Sequence, residues 1–143
     1  MIYTELTKKA IKLCYKAHKE QLDKSGLPYI FHPFHLAEQM ETEETAVAAL
    51  LHDVAEDTDY TLEDIKKELG CSDSIIDALR LLTHDESVPY LDYVAKIKEN
   101  PIARAVKLAD LEHNSDLTRL DVIDKKALER VEKYKKAREI LLK

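Results

Sequence analysis

Within six positions the chain sets His52, Asp53, Glu56 and Asp57, in the stretch Leu50-Leu51-His52-Asp53-Val54-Ala55-Glu56-Asp57-Thr58. One imidazole and three carboxylates supply what metal-assisted hydrolysis asks of a protein: donors for a divalent ion and groups that exchange protons. Read as continuous helix, with each residue advancing about 100°, the four positions fall within an arc of roughly 140°. The preceding Ala46-Val47-Ala48-Ala49-Leu50-Leu51 is apolar on nearly every side. The acids therefore end a buried helix, where packing alone gives no reason for them.

Two separated residues complete a donor set. His32 precedes Pro33, and a residue before proline is biased to extended backbone, which fixes its direction. By itself it reads first as a loop histidine with a local hydrogen bond, and only the other donors make it a ligand. Asp110 follows the mostly apolar Val106-Lys107-Leu108-Ala109. A buried carboxylate needs a metal or a cationic partner, and Lys107 and Arg104 are the partners on offer. His32, His52, Asp53 and Asp110 together give two nitrogens and two oxygens, which suits Mn²⁺, Fe²⁺, Zn²⁺ or Ni²⁺ with positions left open. Such an ion lowers the pKa of a bound water toward that of a usable nucleophile. Glu56 and Asp57 are too many acids to be ligands as well. Crowded carboxylates near a metal hold protons closer to neutrality and serve as general acid or base. The competing reading is a solvated acidic helix end, which would oppose the helix dipole.

These residues need helices to hold them. Leu6, Ala10, Leu13, Cys14 and Ala17 recur at helical spacing and predict a helix from about Thr4 to Leu22, ended by Gly26 and Pro28. Pro33 begins a short helix to about Met40. Thr42 caps a helix running to about Glu56. Thr61, with Asp64 three positions on, caps Leu62–Leu69, and Gly70 closes it. Ser72 or Asp73 opens a helix to Thr83, Pro89 one to Glu99, and Asn100-Pro101 one to about Asn114. The last spans about Val122–Leu142. No segment alternates as a strand does, and no repeat or low-complexity segment interrupts the chain. The expected fold is all-α, a single domain over residues 1–143 with seven or eight helices.

Composition bounds the partners. The chain has 143 residues, 35% of them charged and 45% hydrophobic, with a net charge of −6. That excludes the diffuse basic footprint of a DNA- or RNA-binding protein, and an anionic substrate needs a local basic patch or a metal. Cys14 and Cys71 form no CxxC pair and read as small apolar residues in a reducing compartment. No apolar run reaches the length of a membrane span, and the N-terminus has no signal-peptide core, so the expected location is the cytoplasm. The charge-laced terminal helix packs on the domain or forms a homodimer contact.

The order His…His-Asp…Asp resembles the HD metal-dependent phosphohydrolases. The surroundings resemble the hydrolase domain of the Rel/Spo family more closely. The matching stretches are Ala17-His18-Lys19-Glu20-Gln21, Lys24-Ser25-Gly26-Leu27-Pro28-Tyr29-Ile30-Phe31-His32-Pro33, Leu50 through Thr58, and Lys107-Leu108-Ala109-Asp110 through His113-Asn114. The resemblance implies a helical HD bundle that removes the 3′-pyrophosphate of ppGpp and pppGpp, with Mn²⁺ the usual ion. It makes His32, His52, Asp53 and Asp110 the metal ligands and Glu56 and Asp57 the proton-handling pair. Lys24 and Ser25 match a loop facing the guanosine nucleotide, Asn114 a sugar or base contact, and Lys107 a phosphate contact or a support for Asp110. His18 matches a structural position. Two positions depart from the family pattern. Asp23 stands where an Arg usually packs on the guanine, and Thr83-His84 replaces a Thr-Lys pair; a carboxylate offers no cationic stacking surface. Other readings are an HD nucleotidase or pyrophosphohydrolase for a different nucleotide, and a non-catalytic module that senses a nucleotide or metal.

Overall fold

The structure, a computed structural model, describes all 143 residues. It is all-α, as expected: α1 (Glu5–His18), α2 (Phe31–Glu38), α3 (Glu43–Leu51), α4 (Val54–Asp57), α5 (Leu62–Leu69), α6 (Asp73–Leu82), α7 (Tyr90–Ile97), α8 (Pro101–Asn114), a 3₁₀ turn (Leu117–Arg119) and α9 (Lys125–Leu142). No helix is long and apolar enough to cross a membrane. The sole strand-like feature is a single antiparallel bridge between Leu22 and Pro28.

α3 is the axis. All six residues from Ala46 to Leu51 are buried, which an apolar surface on every side of one helix requires. α1, α2, α6 and α8 pack around it. Ala46, Ala48 and Ala49 are small enough to let neighbouring backbones approach closely, and Leu50 and Leu51 fill the spaces between them. α7 and α9 close the bundle against α8.

The local signals work as the chemistry says. Thr42 Oγ1 accepts from the Thr45 amide at 3.1 Å while Thr45 answers toward the Thr42 amide. Thr61 and Asp64 form the same reciprocal pair at the head of α5. Gly70 ends α5 at φ +65°, where a Cβ would be strained. Asn100 Oδ1 caps α8 through the Ala103 amide, with Pro101 in its first turn.

Four expectations are corrected. The helix entered at Thr42 does not continue to Glu56: it stops at Leu51, turns through His52 and Asp53, and resumes as the single turn α4. Asp53 sits at φ −105°, ψ 0°, off the helical centre. His32 does not lie in an extended segment before Pro33 but inside the first turn of α2. Pro33 is tolerated there because a first-turn N–H has no helical partner to lose. α1 ends at His18, four residues early, because the Gln21 carbonyl takes the Tyr29 amide and draws the chain into a loop. α9 starts at Lys125 because Asp124 caps it through the Ala127 amide at 2.8 Å.

The central role of α3 sets a stability ranking. Leu50→Ala is expected to cost about 2–5 kcal/mol. Thr42→Ala, which loses only an exposed cap, is expected to cost about 1 kcal/mol. Urea unfolding of the two variants measures both.

Candidate metal centre and cleft

The break after α3 builds the centre. Adjacent residues on a regular helix diverge by about 100°. At the break they converge instead, and His52 Nε2 lies 3.1 Å from Asp53 Oδ2. α8 brings Asp110 Oδ1 to 3.6 Å from the same nitrogen, and the first turn of α2 brings His32 Nε2 to 2.9 Å from Asp110 Oδ1. The ligand atoms of His32, His52 and Asp53 all lie within 4.8 Å of one another. The four residues named as metal ligands from sequence are therefore one cluster.

The tautomer of His52 tests whether an ion fits. Its Nδ1 is 2.7 Å from the Ala49 carbonyl, which can only accept, so Nδ1 carries the proton. In the neutral ring Nε2 is then a bare lone pair. It is buried, has no hydrogen-bond partner, and faces two carboxylates. Acceptor against acceptor is unfavourable unless a cation lies between them, and a backbone carbonyl behind the other ring nitrogen is the usual support of a ligating histidine. The donor set fits a divalent metal.

The two carboxylates differ electrically. Burial would raise the pKa of Asp110. The Lys107 ammonium at 2.9 Å and the hydrogen bond from His32 outweigh that and hold it well below the usual carboxylate range. Asn114 Nδ2 adds a bond to Asp110 Oδ1 at 2.9 Å. Asp53 has no such cation. Burial, then Asp110, Asp57 and Glu56, push its carboxyl well above the ordinary value, and the Tyr29 hydroxyl donates to its Oδ2. Lys107, itself buried over the rings of Tyr90 and Tyr93, keeps its proton because the attraction of Asp110 overcomes desolvation. Of the two roles open to Lys107, the structure shows the support of Asp110.

The acidic pair divides. Glu56 Oε1 accepts from the His84 amide at 2.8 Å. Desolvation raises its pKa, the His84 amide pulls it down, and Asp57 adds to the rise. Both acids are exposed, but Asp57 makes no side-chain hydrogen bond.

A cleft of about 330 Å³ opens beside the centre. His32 and Tyr29 line its inner end, and Lys24, Ser25 and Asn114 its walls. Ser25 Oγ is occupied, donating to the Arg119 carbonyl at 2.7 Å. Asp23 closes the loop on itself, its Oδ1 accepting from the amides of Ser25 and Leu27 at 2.9 and 3.0 Å. Arg119 and Arg130 also line the cleft. Burial, then the nearby Arg130, lower the pKa of Lys24. The basic patch that the acidic chain requires is thus Lys24, Arg119 and Arg130. Arg104, a candidate partner of Asp110, instead bonds the Leu141 carbonyl.

Sequence reading assigned no role to Tyr29, His113 or Arg119. His113 Nδ1 lies 2.7 Å from His32 Nδ1, with the two ring planes within 4° of parallel. Burial, then Arg119 and the neighbouring histidines, lower its pKa to about 4, so at neutral pH it is an uncharged ring whose Nδ1 pairs with that of His32 and can orient it. Tyr29 and His113 both lay within the family-like stretches, which was their only signal; Arg119 carried none. His18 is buried, its Nδ1 2.8 Å from Gln21 Oε1 and its ring 4.8 Å from that of Tyr29.

Comparison with known proteins places this geometry. A family profile described as HD domain matches residues 10–88, more than half of the chain. The chain belongs to the HD-domain family. Within that family it is of the Rel/Spo type. It is 44% identical over 72 residues to a guanosine-3′,5′-bis(diphosphate) 3′-pyrophosphohydrolase of Aquifex aeolicus, covering 48% of this chain and 10% of that protein. A protein of the same name from Haemophilus influenzae is 38% identical over 111 residues, covering 68% and 16%. A GTP pyrophosphokinase of Streptomyces coelicolor is 32% identical over 144 residues, covering 93% and 16%. The chain thus spans no more than about a sixth of these relatives. A solved structure described as a metazoan ortholog of SpoT that hydrolyzes ppGpp superposes with a TM-score of 0.74 at 25% identity, covering 99% of this chain and 86% of that one.

Three outcomes follow from the centre. A carboxyl whose folded pKa is raised contributes stability below its unfolded pKa and loses it as pH rises through the folded one. In metal-free protein at neutral pH, Asp53→Asn should therefore raise stability. Divalent metal should raise the Tm of the wild type and leave that of the variant unmoved; thermal melts with and without chelator measure both. Tyr29→Phe should weaken metal affinity about tenfold or more, since it removes the donor that holds Asp53; a calorimetric metal titration measures it.

Proposed function

We propose that this protein is a metal-dependent phosphohydrolase that removes the 3′-pyrophosphate from the guanosine alarmones ppGpp and pppGpp, acting in the cytoplasm with Mn²⁺ as its ion. The observation that carries the reading is the convergence of His32, His52, Asp53 and Asp110 beside a basic cleft in an otherwise acidic chain. The names of the Aquifex and Haemophilus relatives and of the metazoan structure support the substrate.

The chain's residues divide the work. His32, His52, Asp53 and Asp110 would hold the ion, which when bound supplies Lewis acidity to a phosphoryl oxygen and to a water. Lys107 keeps Asp110 ionised, and Tyr29 and His113 fix the directions of Asp53 and His32. Glu56, with Asp57 beside it, takes a proton from the attacking water or returns one to the leaving oxygen; its raised pKa suits that exchange. Lys24, Arg119 and Arg130 draw the polyanion into the cleft, and Asn114 stands where a ribose or base would pass. The bond broken joins the 3′-oxygen to the pyrophosphoryl group. The products are pyrophosphate and, from ppGpp or pppGpp respectively, guanosine 5′-diphosphate or 5′-triphosphate with a free 3′-hydroxyl.

Asp23 favours a second reading, hydrolysis of another phosphorylated nucleotide on the same centre, because its carboxylate is committed to the loop and gives no cationic face to a base.

Incubation with Mn²⁺ and a panel of ppGpp, GTP and deoxynucleoside triphosphates separates the two. Pyrophosphate release from ppGpp, abolished in Asp53→Ala and lowered about 10²–10⁴-fold in Glu56→Gln, is expected. Turnover confined to another nucleotide would overturn the alarmone assignment and leave the phosphohydrolase standing.

A further inference from the structure

His84 stands 28 residues from Glu56, on the loop between α6 and α7, yet its backbone amide is the hydrogen-bond donor to the Glu56 carboxylate. That loop is pinned repeatedly. Thr83 Oγ1 donates to the Leu79 carbonyl at 2.9 Å, and the buried Tyr93 hydroxyl donates to the Leu82 carbonyl at 2.8 Å. Asp85 accepts from both the amide and the hydroxyl of Ser87. The His84 imidazole closes the arrangement. Its Nε2 lies 2.7 Å from the Val88 carbonyl and so carries a proton, and its ring stacks on Tyr93 with centroids 4.5 Å apart. Tyr93 in turn lies beneath the Lys107 ammonium that secures Asp110. The imidazole therefore ties the loop to the wall of the metal centre, and the tied loop aims one N–H at one carboxylate oxygen. Asp57 receives no comparable bond.

We propose that His84 is a positioning residue for Glu56, and that Glu56 rather than Asp57 is the proton-transferring member of the acidic pair. The inference rests on the phosphohydrolase reading for its activity but not on the identity of the nucleotide. His84 touches no reacting atom. Its side chain fixes the loop, the loop fixes the amide, and the amide holds Glu56 in one orientation. A hydrogen bond to a charged acceptor is among the stronger ones, so a loose Glu56 has a measurable consequence.

The test uses the nucleotide that wild-type protein turns over fastest with Mn²⁺. His84→Ala should lower kcat at least about tenfold with KM changed less than about twofold. His84→Gln, which can still donate to the Val88 carbonyl, should recover most of the loss. His84→Ala added to Glu56→Gln should cost little further, since the positioned group is already gone, whereas added to Asp57→Asn its effect should multiply. Wild-type kcat in His84→Ala, a loss expressed only in KM, or full multiplication with Glu56→Gln would each overturn the proposal. Absence of turnover on every nucleotide defeats the hydrolase reading separately. The amide resonance of residue 84 then decides: it should shift in Glu56→Gln when His84 is present and stay put in the His84→Ala background, and the opposite pattern overturns the coupling.

Discussion

The centre depends on one buried charge, that of Asp110. Burial alone would protonate it, and a neutral acid cannot anchor a divalent ion. The Lys107 ammonium, one helical turn away on α8, prevents this at 2.9 Å. Such a pair is costly to desolvate, and it persists only when surrounding groups satisfy it. Here His32 and Asn114 share the carboxylate, and the faces of Tyr90 and Tyr93 cover the ammonium. Asp53 is the counterpart with no cation of its own. Lys107 favours the charge of Asp110, while burial and the neighbouring acids oppose that of Asp53.

That electrostatic arrangement needs a rigid support, and α3 provides it. A helix buried on every side cannot shift without disturbing the core, so the residues just beyond its end are held in place. The break at His52 and Asp53 then converts neighbours in sequence into neighbours around one point. A continuous helix would leave the two side chains pointing apart. The same break frees α4 to turn as a separate unit, so that Glu56 reaches the α6–α7 loop instead of extending the axis of α3.

The donor set and most helix boundaries were legible in the sequence because they rest on local chemistry. Thr42, Thr61, Gly70 and Asn100 punctuate the chain by bonds to residues at most four positions away. The helix break was not legible, because Val54 and Ala55 continue the apolar pattern straight through it and nothing in the residue types marks Asp53 as a corner. Pro33 misled in the opposite sense, since its bias on His32 is real but weaker than the pull of a first helical turn buried against α3. The supporting residues were hidden by distance. Tyr29 meets Asp53 across 24 positions, His113 meets His32 across 81, and Ser25 meets Arg119 across 94. No spacing rule reaches that far.

The cleft shows how a chain of net charge −6 can still admit an anion. Most of its acids face solvent, where salt screens them beyond about 8–10 Å. In the cleft, Asp23 spends its Oδ1 on loop amides and Asp116 spends its Oδ1 on the amide and hydroxyl of Thr118. Lys24, Arg119 and Arg130 have no carboxylate partner there. The Arg119 guanidinium is also aimed, because its Nη1 is fixed on the His113 carbonyl and the Ser25 hydroxyl holds its own carbonyl. The loop that carries Asp23 instead of a cation therefore anchors the turn that brings a cation to the same cleft from the other side. Local charge, fixed in direction and free of counter-ions, governs what enters; the net charge of the chain only slows its approach.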